Sequence, residues 1–157
     1  MKITDFLLKL KKEKKLQIVE ESTEIAQAYL KKSESYLSSA KLLFENKRLE
    51  ESISMAYYSM YHMLTALLFR TGIKCENHSA SIVLLKKVYG LDNSNIAFAK
   101  RERIDKQYYV DFHLTKEDTK ELIEKAEEFN KELFDFISRL SNPDVIRYKG
   151  EFKKLLK

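Results

Sequence analysis

Three histidines, one cysteine, a run of cations and a dense set of tyrosines are the groups in this chain that could do chemistry. Lys100, Arg101 and Arg103 sit together in the stretch KRER, the strongest basic cluster inside the chain. Such a cluster attracts phosphate. His78 follows Asn77 at a predicted helix start, where a capping or surface role is expected. His62 lies within an apolar helical stretch and reads as a packed core residue. Cys75 and His78 stand at Cys-x-x-His spacing. Zinc needs about four ligands and no second pair follows, so neither a metal site nor a cofactor is expected. Tyr57, Tyr58 and Tyr61 could stack nucleobases. At helical spacing in a buried helix they read first as core or interface. There is no phosphate-cradling glycine loop, paired-carboxylate site, or serine or cysteine nucleophile motif.

Composition bounds what can position these groups. A chain of 157 residues forms one domain with room for a real core. Only three glycines and one proline occur, which disfavours turn-rich sandwiches and barrels and favours helices. Hydrophobic residues make up 44%, too many for a disordered chain. Abundant Lys and Glu with no Trp would suit a heat-adapted organism. A single cysteine allows no internal disulfide and fits a reducing cytoplasm. The opening MKITDFLLKLKKEKK is too charged and too short in its apolar part for a signal peptide. No apolar run approaches the ~18 residues of a membrane span. A soluble cytoplasmic protein with no membrane contact is expected. The net charge of +5 is concentrated at both ends, while residues 116–135 are acidic on balance. The basic ends read either as a solvated lysine-rich surface or as phosphate-attracting arms.

Apolar periodicity outlines the elements. A short amphipathic helix is predicted from Ile3 to about Lys14. A long helix follows from about Ser22 to Asn46, with Ala26, Leu30, Ser33, Leu37, Ala40 and Phe44 on one stripe. The next, from about Leu49 to Thr71, is apolar nearly all round, so it is central to the bundle or to a dimer interface. Gly72 is placed to end it. Asn77 or Ser79 caps a shorter helix that Gly90 stops. A short basic helix spans Ile96 to about Arg103, and residues 105–114 show no helical period and read as an ordered loop. Thr115 and Asp118 make a capping box for a final long helix to about Leu140. Pro143 breaks the chain before a basic tail with capacity for a short helix. The expected organisation is a basic helical extension over 1–16, a bundle over 17–141 and a basic tail over 142–157. Short loops make consecutive long helices antiparallel neighbours, giving an all-α, up-and-down bundle of four to five helices.

Four segments in order, AYLKKSESYLSSAKLLFENKRLEESI, AYYSMYHMLTALLFRTG, NHSAS and RERIDKQYYVD, resemble the HEPN domain superfamily over roughly Tyr29 to Leu140. The closest likeness is to small stand-alone HEPN proteins paired with minimal nucleotidyltransferases. Active members are metal-independent ribonucleases with an Arg followed four to six residues later by His. The resemblance therefore implies a catalytic or phosphate-binding role for Arg103 or Arg101, beside Lys100. The downstream positions are Lys106, Gln107, Tyr108 and Tyr109, and none is histidine. The chain looks more like a branch with an Asp/Tyr-type pair there.

The missing His has a chemical cost. Cleavage through the 2′-hydroxyl needs a proton acceptor with a pKa near neutrality, and unperturbed tyrosine, at about 10, is none. Arginine still stabilises phosphorane charge. Arg103 with Tyr108 alone would bind phosphate better than it cleaves, unless the fold brings His78 or His113 near as the base. The nearly all-round apolar helix motivates a homodimer, and the resemblance further implies a nucleotidyltransferase partner and adenylylation at Tyr108 or Tyr109. Two main functions follow: the RNA-cleaving toxin of a toxin–antitoxin pair, or a non-catalytic module that binds a nucleotide, RNA or the partner; a third, outside the family logic, is a purely structural helical adaptor.

Overall fold

The computed structural model describes residues 2–108 and 113–157, apart from the side chains of Gln107 and Tyr108. Its elements run α1 (Ile3–Lys12), β1 (Leu16–Ile18), α2 (Thr23–Glu45), α3 (Leu49–Arg70), β2 (Ile73–Cys75), α4 (His78–Tyr89), α5 (Ser94–Tyr108), α6 (Lys116–Ser138) and α7 (Asn142–Leu155). The expected all-α bundle is present, with five helices between residues 17 and 141. Side-chain caps set several of the starts, because a helix leaves its first N–H groups without internal partners. Ser22 accepts from the Ile25 amide, Asn77 from Ala80 and Thr115 from Asp118. Gly90, at φ +68°, closes α4 in the left-handed region.

Helix α3 is the axis of the bundle. Twelve of its residues are buried, including Tyr57, Met60, Leu64 and Leu67 at 0% exposure. Burying each such aliphatic side chain contributes about 1.5–3 kcal/mol. Helices α2, α5 and α6 all pack on α3. Antiparallel α2 is locked to it by polar stitches: Ser33 Oγ donates to Ser59 O, Ser59 Oγ to Ser33 O, and Ser52 Oγ to Ala40 O, each at 2.7 Å. Asn130 of α6 joins the knot by donating to Ser59 Oγ at 2.8 Å.

Three local features differ from the pattern expected from sequence. The first is a short antiparallel ribbon that pairs Leu16 with Cys75 and Ile18 with Ile73. Three-residue strands carry too little alternation to be seen in sequence; the pairing exists because α1 delivers β1 to the end of α3. Gly72 sits at φ +79°, with Val19 O 2.7 Å from where a Cβ would stand. The second is that α5 continues through Asp105–Tyr108, where the lack of a helical period suggests a loop. Ile96 and Ala99 anchor it at 0% exposure, and Lys106 ties its last turn to Glu102, Asp118 and the His113 carbonyl. The third is that Pro143 opens a helix as well as ending the preceding segment. Ser141 and Asp144 cap one another, and proline is tolerated in a first turn. Helix α7 then buries Val145 and Phe152, and α1 buries Leu7 and Leu10. Both termini thus pack onto the body.

Candidate functional site

The polar groups of interest converge where α3, α4 and α5 meet. Positions 57, 58, 61 and 62 of α3 bring three tyrosines and a histidine to neighbouring faces, as i,i+4 pairs on a helix do. Tyr57 is fully buried and forms the floor. The ribbon then turns the chain, Asn77 caps α4, and His78 becomes its first residue. His78 Nδ1 lies 2.8 Å from the Tyr57 hydroxyl, and its ring stacks on Tyr61 at 3.8 Å between centroids, 17° from parallel. Burial, then the charges of Lys100 and Arg103, hold the His78 pKa below its ordinary value. A helix N-terminus also disfavours a cation. All of these influences favour the neutral imidazole over the imidazolium. Burial pushes the Tyr57 phenol up, so it keeps its proton.

Helix α5 supplies the cations. Lys100 and Arg103 are three residues apart and share a face. Lys100 Nζ donates to Ser79 Oγ. The Arg103 guanidinium lies 4.9 Å from the Tyr58 ring centre and 5.8 Å from that of Tyr57. Its Nε is buried and has no hydrogen-bond partner among the described residues. Arg103 also lines a cavity of about 410 Å³ with Glu50, Glu51, Ser54, Met55 and Tyr58. Lys106, one turn on, is by contrast bridged to Glu102 and Asp118. Among the described residues neither Lys100 nor Arg103 makes an ion pair. A larger cavity of about 940 Å³ between α2 and α6 contains none of these groups.

The structure thus brings Lys100, Arg103 and His78 together. Arg101 is exposed, roughly 200° around the helix from Arg103. The His113 ring is exposed, and among the described residues no contact joins it to the cluster; its carbonyl accepts from Lys106 at 3.1 Å. Tyr109 and the Tyr108 side chain lie outside the described residues. Cys75 donates its thiol hydrogen to Asn77 O, and burial pushes the thiol pKa up. Sequence reasoning misses Tyr57 as the partner of His78. The available signal is a tyrosine one helical turn before Tyr61, which core packing explains equally well.

Known proteins share much of this sequence. The HEPN domain family model matches residues 26–136, more than half of the chain. A UPF0332 protein of Pyrococcus horikoshii, PH1297, is 44% identical over 78 residues, covering 50% of this chain and 52% of that protein. The chain therefore spans about half the length of that relative. MJ0605 of Methanocaldococcus jannaschii, named as a candidate toxin, is 30% identical over 110 residues, covering 66% of this chain and 81% of its own. A UPF0332 protein of Thermotoga maritima is 27% identical over 118 residues, 69% of this chain and 88% of that one.

Proposed function

Because the chain belongs to the HEPN domain family, we propose that it is the toxin-like half of a two-component system and cleaves RNA without a metal ion, using Arg103 and His78. One observation carries this reading: two cations that form no ion pair among the described residues flank an imidazole whose neutral form is favoured. Arg103 and Lys100 hold the phosphate. His78 Nδ1 hydrogen-bonds Tyr57, which leaves Nε2 to take the proton of the 2′-hydroxyl. With Nδ1–H donated to the tyrosine oxygen, Nε2 is the basic nitrogen. The 2′-oxygen bonds to phosphorus, the bond to the 5′-oxygen breaks, and that oxygen takes a proton from Lys100 or solvent. The products are a 2′,3′-cyclic phosphate and a 5′-hydroxyl. Arg103 stabilises the charge on the phosphorane. His78 thus occupies the role of the histidine absent after Arg103.

The name of the Methanocaldococcus relative supports the toxin assignment. In this reading the bundle over 17–141 carries the activity, and the terminal helices buttress it from within the cytoplasm. Among the described residues no helix is long and apolar enough to cross a membrane. A nucleotidyltransferase partner would silence the site by adenylylating Tyr108 or Tyr109, putting negative charge and bulk further along the chain from Arg103. A homodimer would use surface beyond the α3 stripe, which is already buried within one chain.

The test is cleavage of labelled RNA at low salt with EDTA present, wild type beside Arg103→Ala and His78→Gln. Cleavage abolished in both variants supports the reading. Cleavage that survives in either one sinks it. The second reading, a non-catalytic RNA- or nucleotide-binding module, is favoured by the Lys106–Tyr109 sequence that replaces the motif histidine. It predicts RNA retardation on a gel with no cleavage.

A further inference from the structure

The first turn of α4 holds a hydroxyl that the helix cap leaves over. Asn77 Oδ1 accepts from the Ala80 amide, and Ser81 Oγ donates to Asn77 O at 3.0 Å. Those two side chains make the cap. Ala80 and Ser81 are fully buried, whereas Ser79 is exposed. Among the described residues the Ser79 hydroxyl meets a single partner, the ammonium of half-buried Lys100, which donates to Oγ. That lysine is the cation one turn before Arg103, and its charge reaches His78.

The bond decides which way the serine proton is free to go. A hydroxyl has one hydrogen and two acceptor sites. With Oγ accepting from the ammonium, its own hydrogen is left for another group. The ammonium also draws electron density from the O–H bond and can replace the proton that leaves. His78 precedes Ser79 by one residue, so the two side chains leave the helix about 100° apart. In a displacement at phosphorus the attacking and leaving oxygens stand roughly in line, on opposite sides. Base and acid must therefore approach from different directions. An imidazole and a lysine-backed hydroxyl on consecutive residues suit that requirement.

We propose that Ser79 is the general acid of the cleavage reaction, giving its proton to the departing 5′-oxygen while Lys100 gives one to Ser79. The inference rests on the proposed cleavage by Arg103 and His78, and replaces the choice of Lys100 or solvent with a defined relay. As the 2′-oxygen bonds to phosphorus, the bond to the 5′-oxygen breaks. The Ser79 hydroxyl proton moves to that 5′-oxygen, and an Nζ proton of Lys100 moves to Oγ. Lys100 is left neutral, and His78 carries the proton of the 2′-hydroxyl. Water then takes that proton from His78 and returns one to Lys100, which restores the resting site.

The test changes the leaving group. A short oligonucleotide is made around a bond that wild type cuts in labelled RNA, once with the natural 5′-oxygen and once with sulfur in its place. A thiol loses its proton near pH ~8.5, against about 15.7 for water, so departing sulfur needs no acid. Ser79→Ala should slow single-turnover cleavage of the oxygen substrate about 10²-fold and cut the sulfur substrate within about threefold of the wild-type rate. Ser79→Thr keeps the hydroxyl and should retain the rate on both. His78→Gln should be slow on both, because sulfur does not replace the base. An oxygen substrate cut as fast by Ser79→Ala as by wild type overturns the inference. So does a loss in Ser79→Ala that is equal on the two substrates, since a role in binding or positioning is not rescued by sulfur. Wild type that cuts no RNA overturns the cleavage reading itself, and the relay with it.

Discussion

Two polar clusters are anchored on α3, and they differ in how they are closed. The Ser33–Ser59–Asn130 knot uses short neutral side chains that answer one another at 2.7–2.8 Å, leaving only Asn130 Oδ1 without a partner. The Tyr57–His78–Lys100–Arg103 cluster sets two cations beside an imidazole, and among the described residues no carboxylate forms an ion pair with either cation. Neutral groups that satisfy one another contribute to helix registry. A cation held half-buried without a counter-charge is costly unless something anionic binds it. Under the proposed function, the contrast separates a cluster that serves the fold from one that takes a phosphate.

Arg103 and His78 put this contrast under the greatest strain. Arg103→Ala or His78→Gln should lower the RNA cleavage rate by about 10²- to 10⁴-fold, read by single-turnover kinetics. Neither should move the thermal midpoint much. A large loss of stability in Arg103→Ala would make Arg103 part of the fold and erase the distinction.

The knot should show the reverse. Ser33→Ala removes the donor to Ser59 O and should cost roughly 1–3 kcal/mol, about 2–4 °C in Tm per kcal/mol, with cleavage intact. A calorimetric scan beside a cleavage assay decides it.

Tyr57→Phe probes the border between the two, since Tyr57 is both core and partner to His78. The expected rate loss is about tenfold. The wild-type pH profile should have an acid limb below pH 6.5, because cleavage needs neutral His78 and its pKa is held below that value. Loss of the tyrosine oxygen removes an acceptor that favours the imidazolium, so the limb should move to lower pH.

The smallest effect belongs to His62. Burial, then Lys32 and His78, lower its pKa to about 4 from 6.5. The unfolded chain therefore binds the extra proton first as pH falls. Stability from neutral His62 is complete above pH 6.5 and is lost progressively between 6.5 and about 4. Allowing for partial solvent screening, roughly 1–2 kcal/mol disappears across that window. Urea midpoints for wild type and His62→Phe should converge at neutral pH and separate below it. Parallel curves would remove His62 from the pH response.

Periodicity in the chain foretells much of this arrangement and misses particular parts of it. The stripes of α2, α3 and α6 are legible because each spans more than twenty residues, long enough for a 3.6-residue period to stand out. The end of α5 is not: Asp105–Tyr108 has no apolar period, and Lys106 ties it both to Glu102 on the same helix and to Asp118, which sequence places on another element. Lys100 and Arg103 are marked by local charge density, whereas the pairing of Tyr57 with His78 spans twenty-one positions and two turns of the chain. Helix type, helix ends and charge density are local properties, carried by spacing, caps and composition over a few residues. Which histidine stands beside Arg103, which tyrosine holds it, and which cations go unanswered depend on how α3, α4 and α5 pack, and packing joins residues that no sequence window contains.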